Sequence, residues 1–251
     1  MIKLVKKDLK LFFGNKRDLS LTFALPIIII TLFALVFGKM GHENGNSFPG
    51  LVQSVAGAAV MMLLFSVAGI GGSLLEEKKE GMLKKLLCAP IHPNEILFGK
   101  MAFANIVSVM QLTLVFVYAK TVFGLDIFPH IPSLALMILA TSYACSSFGV
   151  FLASFARSQQ QVQSVSTIII LVMSAIGGSM MPLFIMPEFM QKIAVFSVNY
   201  WGMQGFFDIF WRLLPFTDSV FLSRVLVLIG IGTLLNWIAF LLFRKNILKI
   251  A

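Results

Sequence analysis

Six long apolar runs occur along the chain, and they restrict it to a small set of folds. A bilayer core about 30 Å thick is crossed by an α-helix of roughly 20 apolar residues. Runs of that length lie near 19–37, 51–74, 98–119, 132–155, 162–181 and 220–243. Hydrophobic residues make up 58% of the 251 residues, above the roughly 45–50% typical of soluble domains. We therefore predict an all-α membrane protein with six transmembrane helices, in which residues 1–251 form a single transmembrane domain.

The distribution of basic residues predicts the orientation of these helices. Positively charged side chains are retained on the cytoplasmic side of a membrane protein. With the N-terminus inside, fifteen of the 20 Lys and Arg residues fall in cytoplasmic segments, and five lie outside: Lys39, Lys120, Lys192, Arg212 and Arg224. We expect a multi-pass protein of the cell (inner) membrane with both termini in the cytoplasm.

The first residues of the chain have the pattern of an amphipathic helix. Lys3, Lys6, Lys7 and Lys10 fall on one helical face, and the apolar face is formed by Ile2, Val5, Leu9, Phe12 and Phe13. Such a helix lies in the interface of a membrane and is attracted by anionic lipids. The alternative is a basic flank that only sets the orientation of the first span.

A dense charged block follows the second apolar run, at residues 76–100. Glu80 and Lys84 stand four residues apart with the acid first, the favourable order for an ion pair on a helix. An apolar ridge runs along the same segment and is formed by Met82, Leu83, Leu86 and Leu87. A helix with such a ridge fits a groove on a partner. The alternative is a solvated loop with no partner.

The order of residues in this block resembles the first cytoplasmic loop of type-2 ABC exporter permeases, the membrane-spanning subunits of ATP-binding-cassette transporters. In that family the loop forms a coupling helix that docks on a separate ATPase subunit. The resemblance assigns this coupling role to Glu77, Glu80, Gly81, Met82, Leu83, Leu86, Leu87 and Pro90. It also implies two permease chains per transporter, as a homodimer or a related heterodimer.

Uncharged polar residues interrupt two of the predicted spans. They are Asn105, Ser108 and Gln111 in the third span and Gln163 and Thr167 in the fifth. Such side chains usually form hydrogen bonds between helices, and they are also candidates for a substrate path. In the fourth span, small residues form a stripe that predicts close helix packing: Ser142, Cys145, Ser146, Gly149 and Ala153.

Two prolines break the apolar run that precedes the last span. Pro187 followed by Glu188 is typical of a helix start, and Pro182 lies just before it. Tyr200 and Trp201 then introduce aromatic rings suited to the headgroup layer. This segment resembles the re-entrant outer helices that precede the last span in the same permease family.

The sequence lacks the motifs of an ATP-binding chain, of an intramembrane enzyme and of a metal site. No G-x-x-x-x-G-K-[ST] motif occurs, so we expect ATP and Mg to bind to a partner ATPase and this chain to contain no catalytic residue. An intramembrane enzyme would need a nucleophile with a neighbouring base, and no span offers one. His42, His92 and His130 are isolated, so no metal site is expected.

The prediction is therefore the permease subunit of an ATP-driven exporter, which moves a drug-like, lipid-like or other amphipathic substrate outward. The alternative is a secondary transporter or channel that is not driven by ATP. Proteins of that class normally carry ionisable residues at mid-membrane, and the centres of all six runs lack them.

The charge distribution generates a topological prediction. In a variant whose native cysteines are replaced, His92→Cys should react with a membrane-impermeant maleimide only from the cytoplasmic side. Asn44→Cys should react only from outside. The opposite labelling pattern would invert the orientation proposed for every segment.

Overall fold

The computed structural model describes residues 2–37, 50–79, 81, 93–127, 130–156 and 158–248. Within these ranges all regular secondary structure is helical. The α-helices are α1 (Ile2–Gly14), α2 (Lys16–Phe37), α3 (Gly50–Lys79), α4 (Pro93–Phe123), α5 (Ile131–Phe155), α6 (Gln159–Ile176), α7 (Glu188–Ala194), α8 (Val198–Phe210) and α9 (Ser219–Leu248), with a 3-10 turn at Leu183–Ile185. The predicted all-α fold is confirmed for the described part of the chain.

Five of these helices are long and apolar enough to cross a membrane. The candidate spans are Lys16–Val36, Gly50–Glu77, Glu95–Phe123, Ile131–Phe155 and Ser219–Phe243. They correspond to the first four and the last of the six predicted runs.

The remaining predicted span, 162–181, differs from the helix that the structure contains. α6 begins earlier, at Gln159, because Ser158 caps it by accepting a hydrogen bond from the Gln161 backbone amide. It ends at Ile176, before a turn in which Gly178 has a φ of 89°. α6 is not among the five candidate spans, because glutamines fill its first turns. The six-span layout therefore stays a prediction.

Helix α3 lies at the centre of the bundle and contacts α2, α4, α5, α6 and α8. Its closest approach is to α5, where a Cβ added to Gly71 would lie 2.5 Å from the Gly149 carbonyl oxygen. Small residues allow such approaches between membrane helices, where van der Waals packing stabilises association. All five members of the predicted small-residue stripe on α5 are buried, which confirms that it is a packing face.

Helix α8 is buried against several long helices. Its Phe206 ring lies 4.6 Å from the ring of Phe116 on α4, and a Cβ added to Gly205 would overlap Met137 on α5. α7 is mostly exposed by comparison, with Phe189 72% exposed. The short helices α7 and α8 thus form the segment between α6 and α9.

Helix α1 packs along the beginning of α4. Val5 and Phe12 are buried in a cluster with Phe103 and Val107 of α4. The predicted apolar face is rotated in the structure, since Ile2 and Phe13 are exposed and Asp8 is buried. The rotation has a physical cause, because Asp8 pairs with a lysine of α4. The exposed Ile2 and Phe13 remain available to a membrane surface.

The contact between α3 and α5 generates a stability prediction. Gly71→Leu should destabilise the protein by about 1–3 kcal/mol or more, because overpacking forces the two backbones apart. Gly69→Leu is the matched control, since a Cβ there meets nothing within 4 Å. The measurement is the thermal unfolding midpoint in detergent. Equal midpoints for the two variants would show that the close approach is not needed for stability.

The prediction that α6 is a sixth span can be tested by labelling. If α6 crosses the membrane, Gln160→Cys should be labelled from the cytoplasmic side and Phe189→Cys from outside, since both positions are exposed. If α7 and α8 form a re-entrant pair, Phe216→Cys should also be labelled from outside. Labelling of positions 160 and 189 from the same side would reduce the layout to five spans.

Candidate functional site

The predicted coupling residues fall at the connection between α3 and α4. Glu77 lies in the last turn of α3, and Gly81 follows it with a φ of 74°. This left-handed conformation costs glycine little, and it commonly ends a helix. The other assigned residues lie outside the described residues: Glu80, Met82, Leu83, Leu86, Leu87 and Pro90.

Glu77 belongs to an ion-pair cluster that joins three helices. The Nζ atom of Lys100 on α4 lies 3.0 Å from Glu77 Oε1 on α3 and 3.1 Å from Asp8 Oδ2 on α1. The Nζ atom of Lys7 lies 3.2 Å from Glu77 Oε1 and 3.2 Å from Asp8 Oδ1. We call Lys7, Asp8, Glu77 and Lys100 the inner cluster. It brings both flanks of the connecting loop together with α1.

The inner cluster is largely removed from solvent. Asp8 is 6% exposed and Lys100 is 7% exposed. Burial by itself lowers the pKa of Lys7, but the carboxylates of Asp8 and Glu77 outweigh it, so the pKa of Lys7 lies above its ordinary value. Lys7 therefore carries its charge at neutral pH. Two acids and two bases then balance each other, which a buried group of charges requires.

The candidate substrate-path residues of α4 face other helices. The amide nitrogen of Asn105 lies 3.5 Å from Ser146 Oγ on α5, and the fully buried Ser108 donates a hydrogen bond to the Ala104 carbonyl within α4. Gln111 is 1% exposed, and its amide atoms have no hydrogen-bond partner among the described residues. These three side chains lie inside the helical bundle of one chain.

The two candidates on α6 lie on a different surface. Gln163 is exposed, and Thr167 is partly buried and donates a hydrogen bond to the Gln163 carbonyl oxygen. Ile168 and Val172 are exposed on the same helix, at 64% and 51%. The outer surface of α6 is therefore polar at its N-terminal end and apolar beyond it.

The residues predicted for the re-entrant segment surround α7 and the start of α8. Pro187 is the residue before α7, and Glu188 is its first residue. Pro182 is buried. Trp201 Nε1 donates a hydrogen bond of 2.7 Å to the Val195 carbonyl oxygen, and its ring meets the Tyr200 ring edge to face. Trp201 thus connects α8 to the turn that follows α7.

A second ion-pair cluster lies at the other end of the bundle. Asp208 on α8 is fully buried and pairs with both Arg212 and Arg224. Arg212 also donates a 2.9 Å hydrogen bond to Gln204, and the Arg224 guanidinium lies 5.9 Å from the centre of the Trp201 ring. We call Asp208, Arg212 and Arg224 the outer cluster. It attaches α8 to α9.

Neither cluster follows from sequence patterns alone. Lys7 and Glu77 are 70 residues apart, and no local spacing indicates that they meet. For Asp8 the sequence does contain an indication of a special role, since it is the one acid among four lysines of an amphipathic helix. Asp208 and Arg212 at four-residue spacing indicate an intrahelical pair, but not the addition of Arg224.

The family model for ABC-2 type transporters matches residues 1–211. The inner membrane transport permease YhhJ of Escherichia coli is 26% identical over 205 residues, covering 81% of this chain and 54% of the relative. The linearmycin resistance permease LnrN of Bacillus subtilis is 22% identical over 185 residues, covering 74% and 48%. The inner membrane transport permease YadH of Escherichia coli is 23% identical over 193 residues, covering 74% and 73%.

The chain thus spans about half the length of YhhJ and LnrN and about three quarters of YadH. The family match includes α1 to α8 and therefore both flanks of the connecting loop. With its long apolar helices, this match makes the chain a multi-pass membrane protein that belongs to the ABC-2 type transporter family.

Proposed function

We propose that this chain is the permease subunit of an ATP-driven exporter and that it works with a separate ATPase subunit. The observation that carries the proposal is the family match over residues 1–211, which includes the charged loop between α3 and α4. In the proposed mechanism the ATPase binds ATP and Mg, and its closure displaces this loop. The helices attached to the loop then change the side of the membrane to which the substrate path opens.

The position of the buried charges favours this function over an ion-coupled transporter or a channel. Among the described residues, the buried charged side chains are Asp8, Lys100 and Asp208. Each of them forms ion pairs within the inner or the outer cluster. An ion-coupled pathway would normally place ionisable residues along the middle of the spans, and the clusters lie near the ends of α3, α4, α8 and α9 instead.

The exposed surface of α6 supports a second permease copy. Glutamine side chains are poorly accommodated by lipid and are expected to face protein or water. A homodimer, or a heterodimer with a related permease, would cover the exposed α6 surface or enclose it in a path between subunits. In this arrangement Gln163 and Thr167 line the path, and Asn105, Ser108 and Gln111 support it from within each subunit.

The proposed topology has six spans, with α6 as the fifth. Both termini lie in the cytoplasm, α1 lies in the membrane interface, and α7 with α8 re-enters from outside. Outward movement of a drug-like, lipid-like or other amphipathic compound is supported by one relative that is named as a resistance permease. The apolar helices with scattered amides and hydroxyls also suit an amphipathic substrate.

The docking proposal predicts the effect of two substitutions in the loop. Glu80→Lys in a solvated loop removes an ion pair worth about 0.2–0.5 kcal/mol, whereas misplaced charge at an interface costs several kcal/mol. Leu83→Asp would bury an unpaired charge in the docking groove. Each should reduce co-purification of the ATPase, or permease-dependent ATP hydrolysis, by more than about tenfold.

Matched controls separate docking from folding. Leu83→Ala and Glu80→Gln keep the loop free of misplaced charge and should have smaller effects. Glu188→Lys reverses an exposed charge on α7, at the end proposed to lie outside, and should leave ATPase binding unchanged. Membrane levels are measured for all variants. Wild-type co-purification and hydrolysis in both test variants would contradict the coupling role.

A further inference from the structure

We propose that the inner cluster joins α1 and both flanks of the connecting loop into one mechanical unit, with Lys100 as the central positioning residue. Displacement of the loop would then move α1 together with α3 and α4. The inference rests on the proposed function for its role in coupling. The attachment itself can be tested on the permease alone.

The geometry places the inner cluster at both ends of the loop. Glu77 precedes the loop by one turn of α3, and Lys100 follows it by two turns of α4. The single Nζ atom of Lys100 lies within 3.1 Å of carboxylates from two different helices. Separation of α1 from α4 would therefore remove one of the two ammonium partners of each carboxylate, and separation of α3 would remove both partners of Glu77.

Apolar contacts run beside these ion pairs. Phe12 of α1 meets Phe103 of α4 at 5.9 Å between ring centres. At the other end of α1, a Cβ added to Gly99 would lie 3.5 Å from the Leu4 Cβ. α1 is therefore in contact with α4 on both sides of the inner cluster. This arrangement resists both separation and rotation of α1.

The charge balance argues against two other uses of the inner cluster. An anion site would need unpaired positive charge, and a cation site would need unpaired negative charge. Lys7 and Lys100 match Asp8 and Glu77 in number, and each ammonium lies within 3.2 Å of both carboxylates. The inner cluster therefore favours attachment between helices over ligand binding.

The first experiment removes the charges together. The triple variant Asp8→Asn, Glu77→Gln, Lys100→Met leaves no buried carboxylate without a counter-ion, and Lys7 keeps a side-chain exposure of 34% through which it can be hydrated. We expect wild-type membrane levels, and ATP hydrolysis is measured per co-purified ATPase, because Glu77 is also one of the residues assigned to coupling. Permease-dependent ATP hydrolysis should fall by about tenfold, within the range for substitutions along a coupling network. Wild-type hydrolysis in this variant would overturn the inference.

The second experiment uses a disulfide in a background lacking native cysteines. The distance between Leu4 and the Cβ position of Gly99 falls within the range of about 3.5–4.5 Å that a disulfide requires. Leu4→Cys with Gly99→Cys should cross-link readily on oxidation, and the oxidised transporter should keep its ATP hydrolysis, because α1 and α4 move together. In the triple variant the cross-link should restore hydrolysis, and reduction should abolish the rescue.

The outcomes distinguish the inference from the proposed function. Cross-linking that inhibits an otherwise wild-type transporter, with recovery on reduction, would show that α1 must leave α4 and would overturn the inference. If the triple variant fails to reach the membrane, the cross-link in the otherwise wild-type transporter still tests the inference. If Glu80→Lys and Leu83→Asp leave the ATPase bound and active, the coupling role proposed for the loop fails. In that case the attachment is judged on the permease alone, by a cross-linking rate that should be several-fold slower without the cluster charges.

Discussion

The cost of burying charge among apolar helices governs where this chain joins its helices together. An unpaired buried ion costs several kcal/mol, so each buried charge must meet its partners in three dimensions. Lys100 meets two carboxylates, from α1 and from α3. Asp208 meets two guanidinium groups, from Arg212 just beyond the end of α8 and from Arg224 on α9. Each pairing specifies which helices are neighbours more strictly than apolar contact does, because apolar side chains exchange partners at little cost.

Between the two clusters, small residues determine how closely the helices approach. In a bilayer, lipid tails are as apolar as leucine side chains, so burial of apolar surface contributes little to the association of membrane helices. Close packing contributes instead, and it requires short side chains where backbones meet, as at Gly71 and Gly149. α3 is flanked by partners on most sides, whereas α2 and α9 keep large exposed apolar faces. The bundle is thus packed tightly around α3 and α5, and its peripheral helices are left for contact with lipid.

The features of this fold that can be predicted from sequence are those whose signal repeats within one helix. Apolar length correctly located five long helices, and the spacing of small residues on α5 correctly located a packing face, because both signals repeat within one helix. Apolar composition does not mark the helix bounds of α6, since the Ser158 cap starts the helix before the predicted span and the turn at Gly178 follows its end. The burial of Asp8 does not follow from local sequence, because its partner Lys100 lies in a helix 92 positions further along the chain. The coupling role of the loop is implied by the family resemblance. The structure adds that Glu77 pairs with Lys7 and Lys100.

Helix α3 runs without a break from the turn that follows α6 to the inner cluster. At a rise of about 1.5 Å per residue, a helix of 30 residues spans about 45 Å. Near its first turn, the Gln53 amide donates a hydrogen bond to the carbonyl of Gly178, in the turn that follows α6. In its last turn, Glu77 joins the inner cluster. Because α3 is one continuous helix with contacts at both ends, a displacement of one end also strains the contacts at the other end. The glycine contact with α5 lies between these ends, so a displacement of α3 must either carry α5 with it or separate two backbones that are already in contact.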